Sequence, residues 1–163
     1  MTKGQAKPDE TGIDVAAELR RDAVTREVCR GVGRLLRSLG MASLNELPLP
    51  NGRRADVVGL SAAGDIWIVE VKSSVEDFRV DTKWPHYRDF SDALFFAVAP
   101  SFPVEILPPD TGLILADRYG AEIVRAAPET RLAGARRKAM TLRFARAAAF
   151  TLQIVSDPNL EIS

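Results

Sequence analysis

In the stretch GRRADVVGLSAAGDIWIVEVKSS, residues 52–74, Asp56 interrupts one apolar run and Glu70 and Lys72 interrupt the next. Carboxylates are the hard oxygen donors that Mg²⁺ takes one or two at a time, leaving its other positions to water and phosphate. A lysine beside them is a compact positive charge that can face the same phosphate. Two acids and a lysine at one point therefore suit a divalent cation that carries a phosphate or a bound water facing the lysine.

The elements that would bring them together are two strands, about Arg54–Leu60 and Ile66–Lys72, joined by a short Gly-containing loop at residues 61–65. If the hairpin closes between Leu60 and Ile66, Asp56 and Glu70 lie equally far from Ala63 and face each other. Glu70 and Lys72 are two apart and share a face. Opposed like charges destabilise a sheet, and carboxylates beside Val58 and Ile68 carry a desolvation cost; a divalent cation answers both objections. A one-residue slip is the alternative: it sends Asp56 to the other face and leaves a surface Glu70–Lys72 pair. The second strand is apolar on both faces, and a buried Glu-x-Lys with no task is uncommon, which favours the site.

The rest of the chain supplies a frame. A helical pattern over Val15–Leu39 puts Val24, Val28, Val32, Leu35 and Leu39 on one face and arginines on the other, and Gly40 stops it. ASLNELPLP reads as a strand carrying Glu46. After the hairpin, Ser74 caps a helix with Asp77 as its acidic partner, and that helix ends before Pro85. ALFFAVA, GLILAD and AEIVRA are three further strands, the last two turned by Arg118-Tyr119-Gly120. Thr130 to about Ile154 is helical, Ala-rich and basic. The order is helix, three strands, helix, three strands, helix: an α/β (mixed α+β) fold with a mixed sheet covered by helices.

The 163 residues, 46% hydrophobic and 27% charged, suit a single domain over residues 13–155, with a flexible tail at 1–12 and a C-terminal tail at 156–163. Lys+Arg and Asp+Glu both number 22, so a polyanion must be held by a local basic surface. Cys29 is the sole cysteine, which rules out an internal disulfide and fits a reducing compartment. The longest apolar run is too short for a bilayer and the N-terminus has no signal-peptide pattern, so the expectation is a cytoplasmic protein without membrane contact. The GVG at residues 31–33 is no dinucleotide fingerprint, because it lies within a helix and Leu36 replaces the third glycine.

Asp56 with Glu70-Val71-Lys72 on a hairpin after an N-terminal helix resembles the PD-(D/E)xK nuclease superfamily. More narrowly, ELPLPNGRRADVV, IWIVEVKSSVEDF, KWPHYRDF and LFFAVAP resemble the MmcB family of bacterial DNA-repair proteins, from about Val24 to Leu152. The resemblance implies a restriction-endonuclease-like mixed sheet and a Mg²⁺- or Mn²⁺-dependent deoxyribonuclease. Asp56 and Glu70 would be metal ligands, with Lys72 orienting the attacking water or stabilising charge on the phosphate. Ala55 stands where the motif's proline would be. The implied partners are damaged or branched DNA and other repair proteins, with homodimerisation frequent in the superfamily and a nucleoid-associated location.

A further acid often completes such sites, and Glu46 and Glu27 are the candidates; each is otherwise a solvated acid. Lys83, in TKWPHY, is expected to contact phosphate, whereas Trp84 and Tyr87 are mainly packing and His86 is a surface residue. Two arginine groups could hold nucleic acid: the outer face of the first helix, and Arg136-Arg137-Lys138. The latter is favoured because it is dense and lacks adjacent acids, although both also suit a solvated helix face. The alternatives to a deoxyribonuclease are a non-catalytic DNA- or partner-binding module and an RNA nuclease.

Overall fold

The structure, a computed structural model, describes residues 14–160. The expected tail at 1–12 and residues 161–163 lie outside them. Helix α1 (Val15–Ser38) leads into β1 (Ala42–Pro48), β2 (Arg54–Leu60) and β3 (Ile66–Val71). A short α2 (Val75–Val80) and a 3₁₀ turn (Trp84–Phe90) return the chain to β4 (Ala93–Val98). A second 3₁₀ turn (Val104–Ile106), β5 (Gly112–Ala116), β6 (Ala121–Arg125) and α3 (Gly134–Ser156) complete it. No helix among the described residues is long and apolar enough to cross a membrane.

The six strands form one sheet in chain order, β1 to β6. Pairing is antiparallel except at β3–β4 and β4–β5, which are parallel. Helix α1 covers one face through Val28, Val32 and Leu36, packed on Val57, Val69 and Ile114. On the other face, Met140 and Phe144 of α3, with Tyr87, pack on Leu47, Val58 and Ile68. Burial on both faces explains why β3 and β4 read as continuous apolar runs. Every residue of β4 is buried.

Two features fix α1. Asp14 caps its start, accepting the Ala17 amide at 3.1 Å. Gly31 lies so close to the β5–β6 turn that a Cβ would collide with the carbonyl oxygens of Asp117 and Gly120. Leu39, expected in the apolar stripe, is the exposed C-cap, because the helix ends at Ser38 and Gly40 turns the chain at φ +73°. Leu36 is the innermost residue of that last turn.

The buried Asp92, just before β4, ties three segments together. It accepts from the Ile66 and Leu132 amides at 2.8 and 2.9 Å and from both terminal nitrogens of Arg137 at 2.6–2.7 Å. Arg137 also donates to the Gly64 carbonyl in the hairpin loop. With residues 130–132 drawn onto Asp92, α3 starts at Gly134 and not at Thr130.

Candidate active site

The β2–β3 hairpin closes at Leu60↔Ile66, the register that sets Asp56 against Glu70. The ladder runs to Val57↔Val69, and beyond it the strands part and carboxylates take over from carbonyls. The Asp56 amide donates to Glu70 Oε1 at 3.1 Å, and the Val71 amide donates to Asp56 Oδ2 at 2.8 Å. On its other side β2 pairs Asn45↔Val57 and then Leu47↔Ala55, so the β1–β2 ladder also passes over Asp56. Opposite that gap Glu46 adopts φ +58°, a left-handed conformation that L-residues rarely take.

Glu70 is only 3% exposed and lies beside the fully buried Phe96 of β4. Burial, and then the charge of Asp56, push its carboxyl up to about 9. Burial also raises Asp56, against the opposing pull of the Val71 amide and Lys72. Two acids thus share a desolvated spot with too little positive charge between them. Lys72, 5% exposed, does not fully neutralise them: its Nζ donates to Asp81 Oδ2 at 2.7 Å. Burial alone would lower the Lys72 ammonium, but Asp81 overrides it and the group is raised.

These side chains floor a cleft of about 710 Å³, walled by Arg21 and Asp22 of α1 on one side and Asp77 of α2 on the other. Ser74 caps α2 as expected, its hydroxyl accepting the Asp77 amide at 3.1 Å. The Asp77 carboxylate reaches back to the Ser73 amide at 3.0 Å, fixing the turn that follows Lys72. Tyr87 closes one corner and donates to the Arg54 carbonyl at 3.1 Å, while Trp84 packs edge-on against Phe96. Both aromatics hold the β2–β4 region together, as the sequence suggested.

The donor chemistry suits a hard divalent cation. Each carboxylate has one oxygen engaged by a backbone amide and a second, Asp56 Oδ1 or Glu70 Oε2, that accepts from no backbone amide among the described residues. Two carboxylates with water completing the shell is the usual Mg²⁺ arrangement. Among the described residues, no three His, Cys, Asp or Glu side chains come together to hold a metal by themselves. Glu46 is exposed and pairs with Arg54 at 3.5 Å; Glu27 pairs with Arg118 at 3.5 Å. Neither candidate third acid is drawn onto the Asp56–Glu70 pair.

The remaining expected contacts lie apart. Lys83 is exposed, its backbone amide donating to Asp81 Oδ1 at 3.0 Å. Arg137 is engaged by Asp92 at the loop end of the hairpin, remote from the carboxylates. Arg136 donates to the Asp89 carbonyl and stacks on Phe90, and Lys138 is exposed. Asp81 is the site residue that sequence reasoning missed. It sits in the irregular link after α2, where no periodicity marks it as the partner of Lys72.

A family model described as DNA repair protein MmcB-like matches residues 13–159. No curated protein matches the chain. Among solved structures, a protein of unknown function from Silicibacter pomeroyi is similar at 47% identity and a TM-score of 0.82. The match covers 85% of this chain and 96% of that one. A family match over nearly the whole domain, on a fold shared with that structure, means that this chain belongs to the MmcB-like family of DNA-repair proteins.

Proposed function

We propose that the chain hydrolyses phosphodiester bonds of damaged or branched DNA during repair, using Mg²⁺ or Mn²⁺ at a site of PD-(D/E)xK type. The observation that carries this reading is the parted hairpin end. There Asp56 and Glu70 are held side by side, each with an oxygen left over, on the floor of an open cleft. The cation supplies Lewis acidity toward a phosphate oxygen and lowers the pKa of water. Asp56 and Glu70 hold it, and their raised proton affinity in its absence is the expected mark of such a site. An ammonium has three donors; Asp81 takes one from Lys72, leaving two to orient the attacking water and offset charge on the phosphate. Asp81 is thus a positioning residue for Lys72.

The test is cleavage of single-stranded, duplex and branched DNA in Mg²⁺ and in Mn²⁺. Asp56→Ala and Glu70→Ala are expected to abolish cutting, and Lys72→Met to slow it by about 10²–10³-fold. Equal cleavage by wild type and all three variants would remove the assignment. One observation favours the alternative of a non-catalytic DNA-binding module: Asp81 holds Lys72 at 2.7 Å, partly shielding its charge. Calorimetry discriminates: salt-sensitive DNA binding without Mg²⁺ or Mn²⁺ uptake at Asp56 and Glu70 would favour that module.

A further inference from the structure

Three cavities along α1 share walls. The active-site cleft and a neighbouring cavity of about 440 Å³ both touch Asp22 and Thr25. That cavity shares Cys29 and Asn45 with a third, of about 610 Å³, lying between α1 and the edge strand β1. Together they make one groove from the carboxylates to Arg37, about 22 Å along the helix from Asp22 at 1.5 Å per residue.

The charge of this groove changes from mixed to purely basic along its length. Asp22, Arg26 and Glu46 line it near the carboxylates, and Arg30, Arg34 and Arg37 line its far end, which carries no acid, from one side of α1. Arg34 donates to the Tyr119 carbonyl. Arg30 and Arg37 are exposed and form no ion pair among the described residues. The opposite wall carries Ser43 and Asn45, a hydroxyl and an amide on exposed β1 positions.

We infer that this groove holds a single strand of DNA, with phosphates on Arg30 and Arg37 and the strand leading into the carboxylate cleft. It deepens the nuclease reading, on which its direction rests. Arg30 and Arg37 lie about 10 Å apart along α1, a span of two or three phosphates. A recess with polar groups on the wall facing the arginines reaches sugar and base edges only where bases are unpaired, and guanidinium planes stack on such bases. The late basic cluster, by contrast, has Arg137 engaged and lies toward the loop end of the hairpin.

The experiment is fluorescence anisotropy in EDTA, where nothing can be cut. The intact chain is titrated onto a labelled oligothymidylate and onto the same strand annealed to its complement. Wild type is expected to prefer the single strand. Arg30→Ala/Arg37→Ala should weaken that binding about tenfold and reduce the slope of log K against log salt by about 1.4. Arg136→Ala/Lys138→Ala should leave both within about twofold. Superimposable thermal melts of the variants, whose changed residues are all exposed, show that the fold is intact. Unchanged binding by the Arg30/Arg37 variant, a larger loss from the late-cluster variant, or tighter binding of duplex overturns the inference. A chain that binds as expected yet cuts no DNA in Mg²⁺ keeps the groove and loses the nuclease; one that cuts but ignores Arg30 and Arg37 does the reverse.

Discussion

The two ends of one hairpin treat buried acids in opposite ways. At the loop end, Asp92 meets a guanidinium and two backbone amides, and every oxygen has a partner. Burial alone would raise its pKa, but Arg137 and those amides override it and hold the carboxyl below its ordinary range. At the open end, Asp56 and Glu70 crowd each other, and the nearest ammonium is paired with Asp81. Both sites take carboxylates out of water, yet only the first is complete within the chain. An acid that the fold satisfies serves the fold, whereas acids left in excess are what a bound cation would satisfy.

The largest effect expected from this contrast is at the satisfied end. Arg137→Met leaves Asp92 with only its two backbone amides and should cost about 1.5–3 kcal/mol in urea unfolding at pH 7. The Asp92 contribution is present above its unfolded pKa near 3.8 and is lost as pH falls through its lowered folded value. The acid-side loss of stability should therefore shrink in the variant. A cost below about 1 kcal/mol would mean that the two ends do not differ as described.

At the open end the sign reverses. Glu70 is raised from an ordinary value of 4.5 to about 9, so the folded chain binds more protons than the unfolded one between those values. Stability then falls as pH rises through that window. In EDTA at pH 8, Glu70→Gln should stabilise the protein by about 1–2 kcal/mol, with the gain vanishing toward pH 4.5. Saturating Mg²⁺ should raise the melting temperature of wild type and not of the variant. A destabilised Glu70→Gln protein at pH 8 would place Glu70 in the same class as Asp92.

The smallest effect concerns Glu46. Its left-handed backbone costs on the order of 1 kcal/mol, which Glu46→Gly should recover in thermal unfolding. If that strain keeps the strands parted at Asp56, the more stable variant should also bind Mg²⁺ more weakly. Unchanged Mg²⁺ affinity would separate the strained Glu46 backbone from the site.

Much of this arrangement is legible in residue order, because hairpin register follows from loop length and strand burial from alternation. The closure at Leu60 and Ile66 and all six strands come from such local rules. What escapes are partners set by the tertiary fold. Asp81 reaches Lys72 from an irregular link, and Arg137 reaches Asp92 across 45 positions. The 3₁₀ turn over Trp84–Phe90 has no periodic pattern to announce it, though its proline at the start is a helix-entry residue. The dense cluster at Arg136–Lys138 stands out in residue order because charge is visible there, while the groove beside α1 exists only once β1 is placed.

The contact at Gly31 has a mechanical consequence. Helix α1 is seated on the Asp117–Gly120 turn at Gly31, and Arg34 is fastened to the same turn through the Tyr119 carbonyl. The helix therefore has a pivot in its second half. Its first two turns, from Val15 to Arg21, are mostly exposed and lie at the far end of that lever. Displacement grows with distance from a pivot, so any bending of α1 would widen or narrow the mouth of the carboxylate cleft, against the Arg21–Glu76 ion pair at 3.9 Å, while the arginine row kept its place on the sheet. The fold thereby assigns stiffness to the end that would grip a strand and compliance to the end that would admit it.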